Sequence, residues 1–273
     1  MVAIQILSDL HLEGSETYNT FDIPAKAPYL ALLGDIGYAS KHGSEYCDFL
    51  RRQLAKFRVV FLVLGNHEPW YSNWDKTRQL MRAFEQTIRS QRETAGAKQC
   101  GEFVLLDRTR YDIPASESEG EPGLTILGCT LFSRVPPESM RDVSRSLGDF
   151  GIIRNWFIED HSAQFEEELA WLNSQVDALS KEDKKIVIFT HYSPTTDDRA
   201  VDPRHRNSSV QSGFVTDLRE EGCWMSPNVK MWAFGHTHFN CDFVDGHKRV
   251  LAHQRGYSLG QADAFEVGKV FDI

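Results

Sequence analysis

The sequence predicts an α/β protein in which parallel strands alternate with helices. Short apolar runs recur along the chain, and segments with helical spacing of apolar residues separate several of them. Residues 45–56, for example, place Phe49, Leu50 and Leu54 on one helical face between two apolar runs. A strand, a helix and a strand in this order favour parallel pairing with a right-handed crossover.

The predicted elements follow one another without an obvious boundary. Strands are expected at 2–7, 29–33, 57–64, 103–106, 124–130, 185–190 and 229–234, and helices at 45–56, 73–92 and 165–179. No internal repeat, low-complexity tract or linker divides the sequence. We therefore predict one domain that spans residues 1–273.

Three segments carry no strong helix or strand pattern. The acidic, turn-rich residues 114–123 are expected to form an exposed loop, and residues 136–160 are expected to be irregular. Turn residues such as Asp245-Gly246 interrupt short alternating segments over residues 241–273. This last pattern predicts β-hairpins that close the fold.

Composition indicates a globular protein and argues against polyanionic partners. The 273 residues are 41% hydrophobic and 25% charged, with a formal net charge of −9. A chain with this charge has no overall field that draws it to nucleic acid or to an anionic membrane. No apolar run approaches the roughly 20 residues that are needed to span a bilayer. We expect no membrane association and no strong nucleic-acid binding.

The cysteines predict a reducing compartment. There are five of them, no Cys-x-x-Cys pair occurs, and the spacing suggests no disulfide framework. The first residues enter a strand pattern directly, with no basic leader or apolar signal segment. We therefore expect a cytoplasmic protein, whose oligomeric state the sequence leaves open.

Polar side chains with metal-binding chemistry follow five of the predicted strands. They are Asp9, His11, Asp35, Asn66, His67, His191, His236 and His238. The carboxyl ends of parallel strands meet at one edge of a sheet, where α/β proteins place their sites. Carboxylate, imidazole and amide oxygen together suit a divalent ion such as Mn, Fe, Zn, Co or Ni. The pattern favours a metallohydrolase over a set of structural histidines.

These blocks resemble the calcineurin-like metallophosphoesterase superfamily, whose pattern is D-x-H, G-D, G-N-H-D/E, a single His and G-H-x-H. Here the blocks stand as Asp9-Leu10-His11, Gly34-Asp35, Gly65-Asn66-His67-Glu68, His191 and Gly235-His236-Thr237-His238. All five occur in order. The resemblance implies a four-layer αββα sandwich, in which two mixed β-sheets face each other and helices flank them.

The resemblance also implies a dinuclear metal centre that Asp35 bridges. One divalent ion would be held by Asp9, His11 and His238, and the other by Asn66, His191 and His236. Two cations about 3.5–4 Å apart can share a hydroxide, lower its pKa and clamp the phosphoryl oxygens for in-line attack. His67 would face the scissile phosphate, where it stabilises developing charge or protonates the leaving oxygen.

One departure from the family pattern bears on the substrate. Ser/Thr protein phosphatases of this superfamily continue the Gly-Asp block with Asp-Arg-Gly, which supplies an arginine for the phosphate and an acid for the histidine. Residues 36–38 are Ile-Gly-Tyr here, so the sequence does not identify the partner that orients His67. Two divalent ions, two aspartates and a hydroxide would leave about one positive charge, which suits a phosphodiester monoanion.

The predicted function is metal-dependent hydrolysis of a small phosphate ester, with phosphodiesters such as cyclic nucleotides favoured. A phosphomonoesterase or protein phosphatase is the first alternative. A catalytically silent scaffold of the same fold is the second, although such a protein should have lost metal ligands and this sequence retains them all.

A polar loop, residues 195–213, joins the last two metal blocks and is predicted to overhang the substrate. It carries Arg204, His205 and Arg206, which would hold a phosphate oxygen or a second phosphate. A solvated basic loop is the alternative. Asp149, in the segment predicted to be irregular, is a candidate lid or rim residue of the site together with Trp156 and His161; packing within the loop is the favoured alternative for all three.

Overall fold

The computed structural model describes residues 1–14, 17–95, 100–113, 123–182, 184–258, 261 and 263–273. The strands are β1 (Ala3–Leu7), β2 (Tyr29–Leu33), β3 (Val59–Val63), β4 (Glu102–Leu105), β5 (Thr109–Ile113), β6 (Leu124–Cys129), β7 (Lys185–Thr190), β8 (Val229–Phe234), β9 (Cys241–Asp245), β10 (Lys248–Ala252) and β11 (Val270–Asp272). The helices are α1 (Thr17–Thr20), α2 (Gly43–Leu54), α3 (Trp74–Ala95), α4 (Met140–Ser146), α5 (Asp149–Ile152), α6 (Ile158–Ser180) and α7 (Gly222–Met225), with 3-10 turns at Pro203–His205 and Gln211–Gly213. The loop predicted at 114–123 lies outside the described residues except for Gly123.

The first sheet carries the motif strands of the N-terminal half. Its strand order is β11-β1-β2-β3-β4, and β1 to β4 run parallel. Helices α2 and α3 provide the crossovers on either side of β3, as the strand–helix–strand pattern predicts. The carboxyl ends of β1, β2 and β3 therefore lie side by side along one edge.

The second sheet carries the motif strands of the C-terminal half. Its order is β5-β6-β7-β8-β10-β9, in which β6, β7, β8 and β10 are parallel and the two outer strands are antiparallel. Strands β9 and β10 form the predicted hairpin, with Gly246 at a φ of 59° in its turn. The rest of the C-terminal segment differs from the prediction, because β11 returns to the first sheet and pairs with β1.

Alternate residues of the strands build two separate cores. In β3, Val59, Phe61 and Val63 belong to the apolar cluster between the two sheets, whereas Val60 and Leu62 belong to the cluster under the helices. The same alternation occurs in β7 and β8. A strand that is buried on both faces has apolar residues at nearly every position, and these strands are continuous apolar runs in the sequence. The predicted four-layer αββα sandwich is confirmed.

Residues 136–160 are not irregular, so that prediction is wrong. The segment holds α4, α5 and the first turn of α6. Only Val143 of α4 is buried, and a helix with one buried side chain leaves almost no apolar periodicity to detect. The start of α6 is marked by Asp160, whose carboxylate accepts the backbone N–H of Phe157 at 2.9 Å.

The helices of the described chain are amphipathic or short. None of them combines the length and the apolar composition that crossing a membrane requires.

Candidate metal centre

The eight candidate residues lie together where strands of both sheets end. Asp9 and His11 follow β1, Asp35 follows β2, Asn66 and His67 follow β3, His191 follows β7, and His236 and His238 follow β8. All are buried except His238, which is partly exposed. The edges of the two sheets therefore converge on one polar cluster that is largely shielded from water.

Five of these residues have left-handed backbone conformations. The φ angles are 52° at Asp9, 47° at His11, 53° at Asp35, 69° at His236 and 50° at His238. Positive φ is uncommon outside glycine, and such conformations concentrate at functional sites, where the surrounding structure holds them. The chain turns sharply after β1, β2 and β8, and each of these turns directs polar side chains into the cluster.

Two glycines let the turns approach each other. A Cβ atom on Gly65 would collide with the carboxylate of Asp35, and one on Gly235 would collide with Ser8 and Asp9. Only glycine leaves room for this contact between backbone and carboxylate. The glycines in the Gly-Asn-His and Gly-His-x-His blocks thus serve the packing of the cluster itself.

The first group of ligand atoms comprises Asp9, His11 and His238. The Nε2 atom of His238 lies 3.2 Å from Oδ1 of Asp9 and 3.0 Å from Nε2 of His11. Burial raises the pKa of Asp9, but its contact with His238 outweighs burial and lowers it. The carboxylate also accepts the backbone N–H of His236 at 3.0 Å. Two facing imidazole nitrogens beside a carboxylate match the donors of a divalent cation.

The second group comprises Asn66, His191 and His236. Nδ1 of His191 donates to the carbonyl of Leu33 at 2.8 Å, which directs Nε2 toward Oδ1 of Asn66 at 3.0 Å. Nε2 of His236 is buried and has no hydrogen-bond partner among the described residues. Burial and the neighbouring His191 lower the pKa of His236 well below its usual range, so this imidazole is neutral and offers a lone pair. A buried nitrogen without a partner is costly, and a cation would satisfy it.

Asp35 lies between the two groups. Its Oδ1 is 3.5 Å from Nε2 of His191, and its Oδ2 is 4.0 Å from Nε2 of His11. Burial opposes the charged form, but the nearby imidazoles of His67 and His191 outweigh burial and hold the pKa of Asp35 well below its usual range. An ionised carboxylate with one oxygen toward each group has the geometry that a bridging ligand requires.

Comparison with protein families identifies the family of the whole chain. The family model for calcineurin-like phosphoesterases matches residues 3–240. The chain belongs to this family. Three sets of His and acidic ligand atoms in the described residues lie close enough together to hold an ion; one is Asp9, His11 and His238, and another is Asp35, His191 and His236. Family and geometry together indicate that this phosphoesterase binds divalent metal.

One viral protein resembles this phosphoesterase weakly in sequence, and two solved structures resemble it in fold. An uncharacterized protein, L509, of Acanthamoeba polyphaga mimivirus is 25% identical over 94% of this chain and 92% of its own length. Phosphopantetheinyl hydrolase from Mycobacterium tuberculosis superposes with a TM-score of 0.63 at 18% identity, over 93% of this chain and 89% of that one. GAP50, described as the anchor in the inner membrane complex of Plasmodium, gives a TM-score of 0.51 at 12% identity, over 97% and 75% of the two chains. These structures support the fold.

His67 has an acidic partner that the sequence analysis missed. Oε1 of Glu13 lies 3.2 Å from Nδ1 of His67 and 3.0 Å from Nδ1 of His11. The ring of His67 also stacks on Trp70, with 3.8 Å between centroids, and its Nε2 lies 3.2 Å from the hydroxyl of Tyr257. Glu13 therefore occupies the orienting position that the sequence left unassigned. Glu13 lies two residues after His11, as His11 lies two residues after Asp9, so extending the Asp-x-His block by this spacing would have pointed to it.

Asp149 is not loop packing as expected but a buried partner of the metal cluster. Its Oδ1 accepts hydrogen bonds from Nδ2 of Asn66 and from Nε1 of Trp70, each at 2.9 Å. The first contact fixes the amide of Asn66 so that its oxygen faces His191. A partner of this kind orients a metal ligand and strengthens binding. No local pattern connects Asp149 with Asn66, so the sequence gives no signal for it.

Glu68 joins the turns that carry Asp35 and Asn66. Its buried carboxylate accepts the backbone N–H groups of Asp35, Ile36 and Gly65 at 3.0, 2.8 and 2.7 Å, and the hydroxyl of Tyr46 at 3.1 Å. No neutral side chain of this size can accept all four donors. The last residue of the Gly-Asn-His-Glu block thus has a structural role.

We expect Glu68→Gln to destabilise the protein by about 2–4 kcal/mol, because the amide leaves buried N–H groups without an acceptor. Urea unfolding followed by circular dichroism measures the effect. Glu45→Gln, at an exposed position of α2, is the control and should change the free energy of unfolding by less than about 0.5 kcal/mol. Equal stability of the two variants would contradict the proposed role of Glu68.

The loop at 195–213 places its three candidate residues differently. The guanidinium of Arg204 pairs with Asp202 at 2.6 Å, and that of Arg206 pairs with Asp198 at 3.3 Å. His205 lines the cavity beside the metal cluster, whereas neither arginine is among its described lining residues. A substrate role for these arginines stays a prediction, and it requires them to leave their aspartate partners.

Proposed function

We propose that this phosphoesterase is a hydrolase of phosphodiesters that uses two divalent cations. Asp35 would bridge the cations, with Asp9, His11 and His238 on one side and Asn66, His191 and His236 on the other. The observation that carries the proposal is the convergence of these donor atoms around Asp35, including a buried Nε2 of His236 that has no protein partner in the described chain. Mn, Fe, Zn, Co and Ni all suit such donors.

The chemistry divides between the cations and the protein. Bound cations would activate water and neutralise the phosphoryl oxygens. Glu13 holds Nδ1 of His67, so the Nε2 atom faces the site, 3.9 Å from Oδ2 of Asp35. From this position His67 can donate a proton to the oxygen that leaves, or a hydrogen bond to an oxygen that stays.

The preference for diesters rests on charge. A monoester dianion needs more positive charge than a diester monoanion, and protein phosphatases supply it with arginine. Here Glu13 adds a further carboxylate beside His67, and both arginines of the nearby loop are paired with acids. Phosphomonoester or protein phosphatase activity is the alternative, and it is favoured if the arginines turn toward the substrate.

A silent scaffold is the other alternative. GAP50, a structural neighbour, is described as an anchor, so the fold also occurs in proteins named for a non-enzymatic role. Against this reading, each metal-binding position of the family pattern is occupied by a suitable side chain, and these side chains converge in space. A scaffold protein that binds no metal would not require this cluster of metal-binding side chains.

Two chromogenic substrates test the proposal. The protein is incubated with Mn²⁺ and assayed on bis(p-nitrophenyl) phosphate, a diester, and p-nitrophenyl phosphate, a monoester. We expect a higher kcat/KM on the diester and loss of both activities after chelation. Faster monoester hydrolysis would overturn the diester preference. No hydrolysis of either ester by the Mn²⁺-loaded protein would overturn the enzymatic proposal.

Glu13→Gln should lower kcat by about 10- to 100-fold, because the amide cannot fix His67 as a carboxylate does. Glu13 is a positioning residue, so we expect kcat to fall more than KM rises, and Glu13→Asp to restore part of the loss. Metal content is measured in parallel, since Glu13 also contacts His11. Glu93→Gln, on the exposed face of α3, is the matched control. Unchanged kcat with retained metal would contradict the role of Glu13.

We also propose a cytosolic location. The support is that all five cysteines are free thiols, and that Cys47, Cys129 and Cys223 are buried. Free thiols of this number are typical of proteins in a reducing compartment.

A further inference from the structure

A cavity of about 430 Å³ opens directly from the metal-ligand cluster. His67, His236 and His238 contribute to one end of it. The loop of residues 195–213 and the helical segment at 140–152 contribute to its other walls. This volume is within the range of small-molecule sites. A phosphate bound at the metal ligands would therefore have space beside it for one of its ester groups.

The walls of the cavity are mainly apolar. Leu147 and Val210 belong to or pack against a small apolar cluster of their own, and both line the cavity. Phe214 stacks on the ring of His236 at 4.9 Å between centroids, and Trp70 stacks on His67 at 3.8 Å. Aromatic surface thus extends from the metal-ligand histidines into the cavity. Burial of a planar or apolar group against such walls is favourable.

The charges around the cavity are acidic. Asp149 and Asp202 line it, and the lining residues that the structure describes include no lysine or arginine. Arg204 is held by Asp202 and is itself 74% exposed, so its charge faces solvent. An anionic group at the end of this space away from His67 would be desolvated with no lysine or arginine beside it, which is costly.

We infer that this cavity binds one ester group of the substrate and selects a neutral aromatic or apolar group over one that carries a second phosphate or a carboxylate. The inference rests on the proposed function, because it assumes that the phosphate lies at the metal ligands. It excludes substrates such as nucleoside polyphosphates and admits diesters with one uncharged organic substituent.

Binding of non-hydrolysable probes tests this selectivity without relying on turnover. The Mn²⁺-incubated protein is titrated calorimetrically with dimethylphosphinate, methyl(phenyl)phosphinate and methyl(4-carboxyphenyl)phosphinate, in which P–C bonds replace both ester bonds of a diester. We expect the phenyl analogue to bind at least tenfold more tightly than the methyl analogue, and at least tenfold more tightly than the carboxyphenyl analogue. If the phenyl analogue fails to bind, or binds within twofold of either other analogue, the inference is overturned. Absence of hydrolysis on chromogenic esters would contradict the proposed function alone, because the order of affinities is measured separately.

A variant with a larger side chain in the cavity wall tests whether the phenyl group of the probe binds in this cavity. Val210→Trp should weaken binding of the phenyl analogue at least tenfold and leave the affinity for the methyl analogue within twofold. Ser208→Phe, at a second partly exposed position of the same wall, provides a second test if circular dichroism shows that the first variant is misfolded. Met225→Trp enlarges an exposed apolar residue outside the cavity lining and should change neither affinity. Unchanged phenyl affinity in the folded wall variants would overturn the assignment of this cavity.

Discussion

Asp35→Asn should remove most of the metal from both halves of the site and reduce hydrolysis by at least about 10²–10³-fold. The substitution preserves shape but replaces a negative carboxylate by a neutral amide. Oδ1 of Asp35 faces His191 at 3.5 Å and Oδ2 faces His11 at 4.0 Å, so each half of the cluster loses a negative ligand. An amide presents one oxygen and one NH₂ group, and the NH₂ group cannot coordinate a cation.

Elemental analysis of the purified variants measures this effect directly. Asn66→Ala should lower occupancy mainly in the half that contains His191, because the amide oxygen of Asn66 lies 3.0 Å from Nε2 of that residue. Asp112→Asn, in the surface ion pairs of β5, is the matched control and should retain full occupancy. Two equivalents of metal in Asp35→Asn would contradict the bridging role, whatever the activity of the variant.

The strands that carry the site were predictable because their burial is visible in the sequence as apolar runs. Strands β2, β7 and β8 begin and end at the predicted residues, since strands buried on both faces are continuous apolar runs that stop at polar residues. Parallel pairing then places their carboxyl ends at one edge. The edge strand β5 was missed because only Ile113 of its five residues is buried, and the alternation of Tyr111 and Ile113 with Arg110 and Asp112 is too short to give a strong strand signal.

The ligand-type residues were predictable from their position after strands, but their supporting residues were not. Asp149 lies on a short helix in the segment expected to be irregular, and Tyr257 comes from a turn near the C-terminus. Their contacts with Asn66 and His67 join residues that are distant in the chain. Contacts of this kind depend on how two sheets pack against each other, and a periodicity argument within one segment does not contain that information.

His67→Ala should slow hydrolysis of an alkyl phosphodiester by about 10²–10⁴-fold and slow a nitrophenyl diester clearly less. An alkoxide is a poor leaving group and needs a proton as it departs, whereas a nitrophenolate disperses its own charge. Burial lowers the pKa of His67, but the carboxylates of Asp35 and Glu13 outweigh burial and raise it to about 9. Bound cations would offset part of the effect of Asp35, while the contact with Glu13 persists. In the metal-free protein the imidazole is therefore protonated near neutral pH, below its pKa, which is the form that a general acid needs.

The comparison of the two substrates separates this role from simple charge stabilisation. If His67 only donates to a non-bridging oxygen, both diesters should be slowed alike, since that oxygen is common to them. Equal losses in a variant that keeps its metal would remove general-acid catalysis by His67 and leave the metal centre intact. Metal analysis of the variant is essential, because His67 is adjacent to Asn66 and contacts Asp35 through its backbone N–H at 2.8 Å.

Tyr257 is the competing proton donor. Its hydroxyl lies 3.2 Å from Nε2 of His67. Partial desolvation of this hydroxyl and the nearby carboxylates of Asp35 and Asp9 keep the pKa of Tyr257 above the usual range, so it remains a neutral phenol that can donate. Tyr257→Phe retains the ring that packs on His11 at 4.1 Å between centroids and removes only the hydroxyl. We expect this variant to slow both diesters by similar, small factors. A selective loss on the alkyl diester in Tyr257→Phe, and not in His67→Ala, would transfer the general-acid role from the imidazole to the phenol.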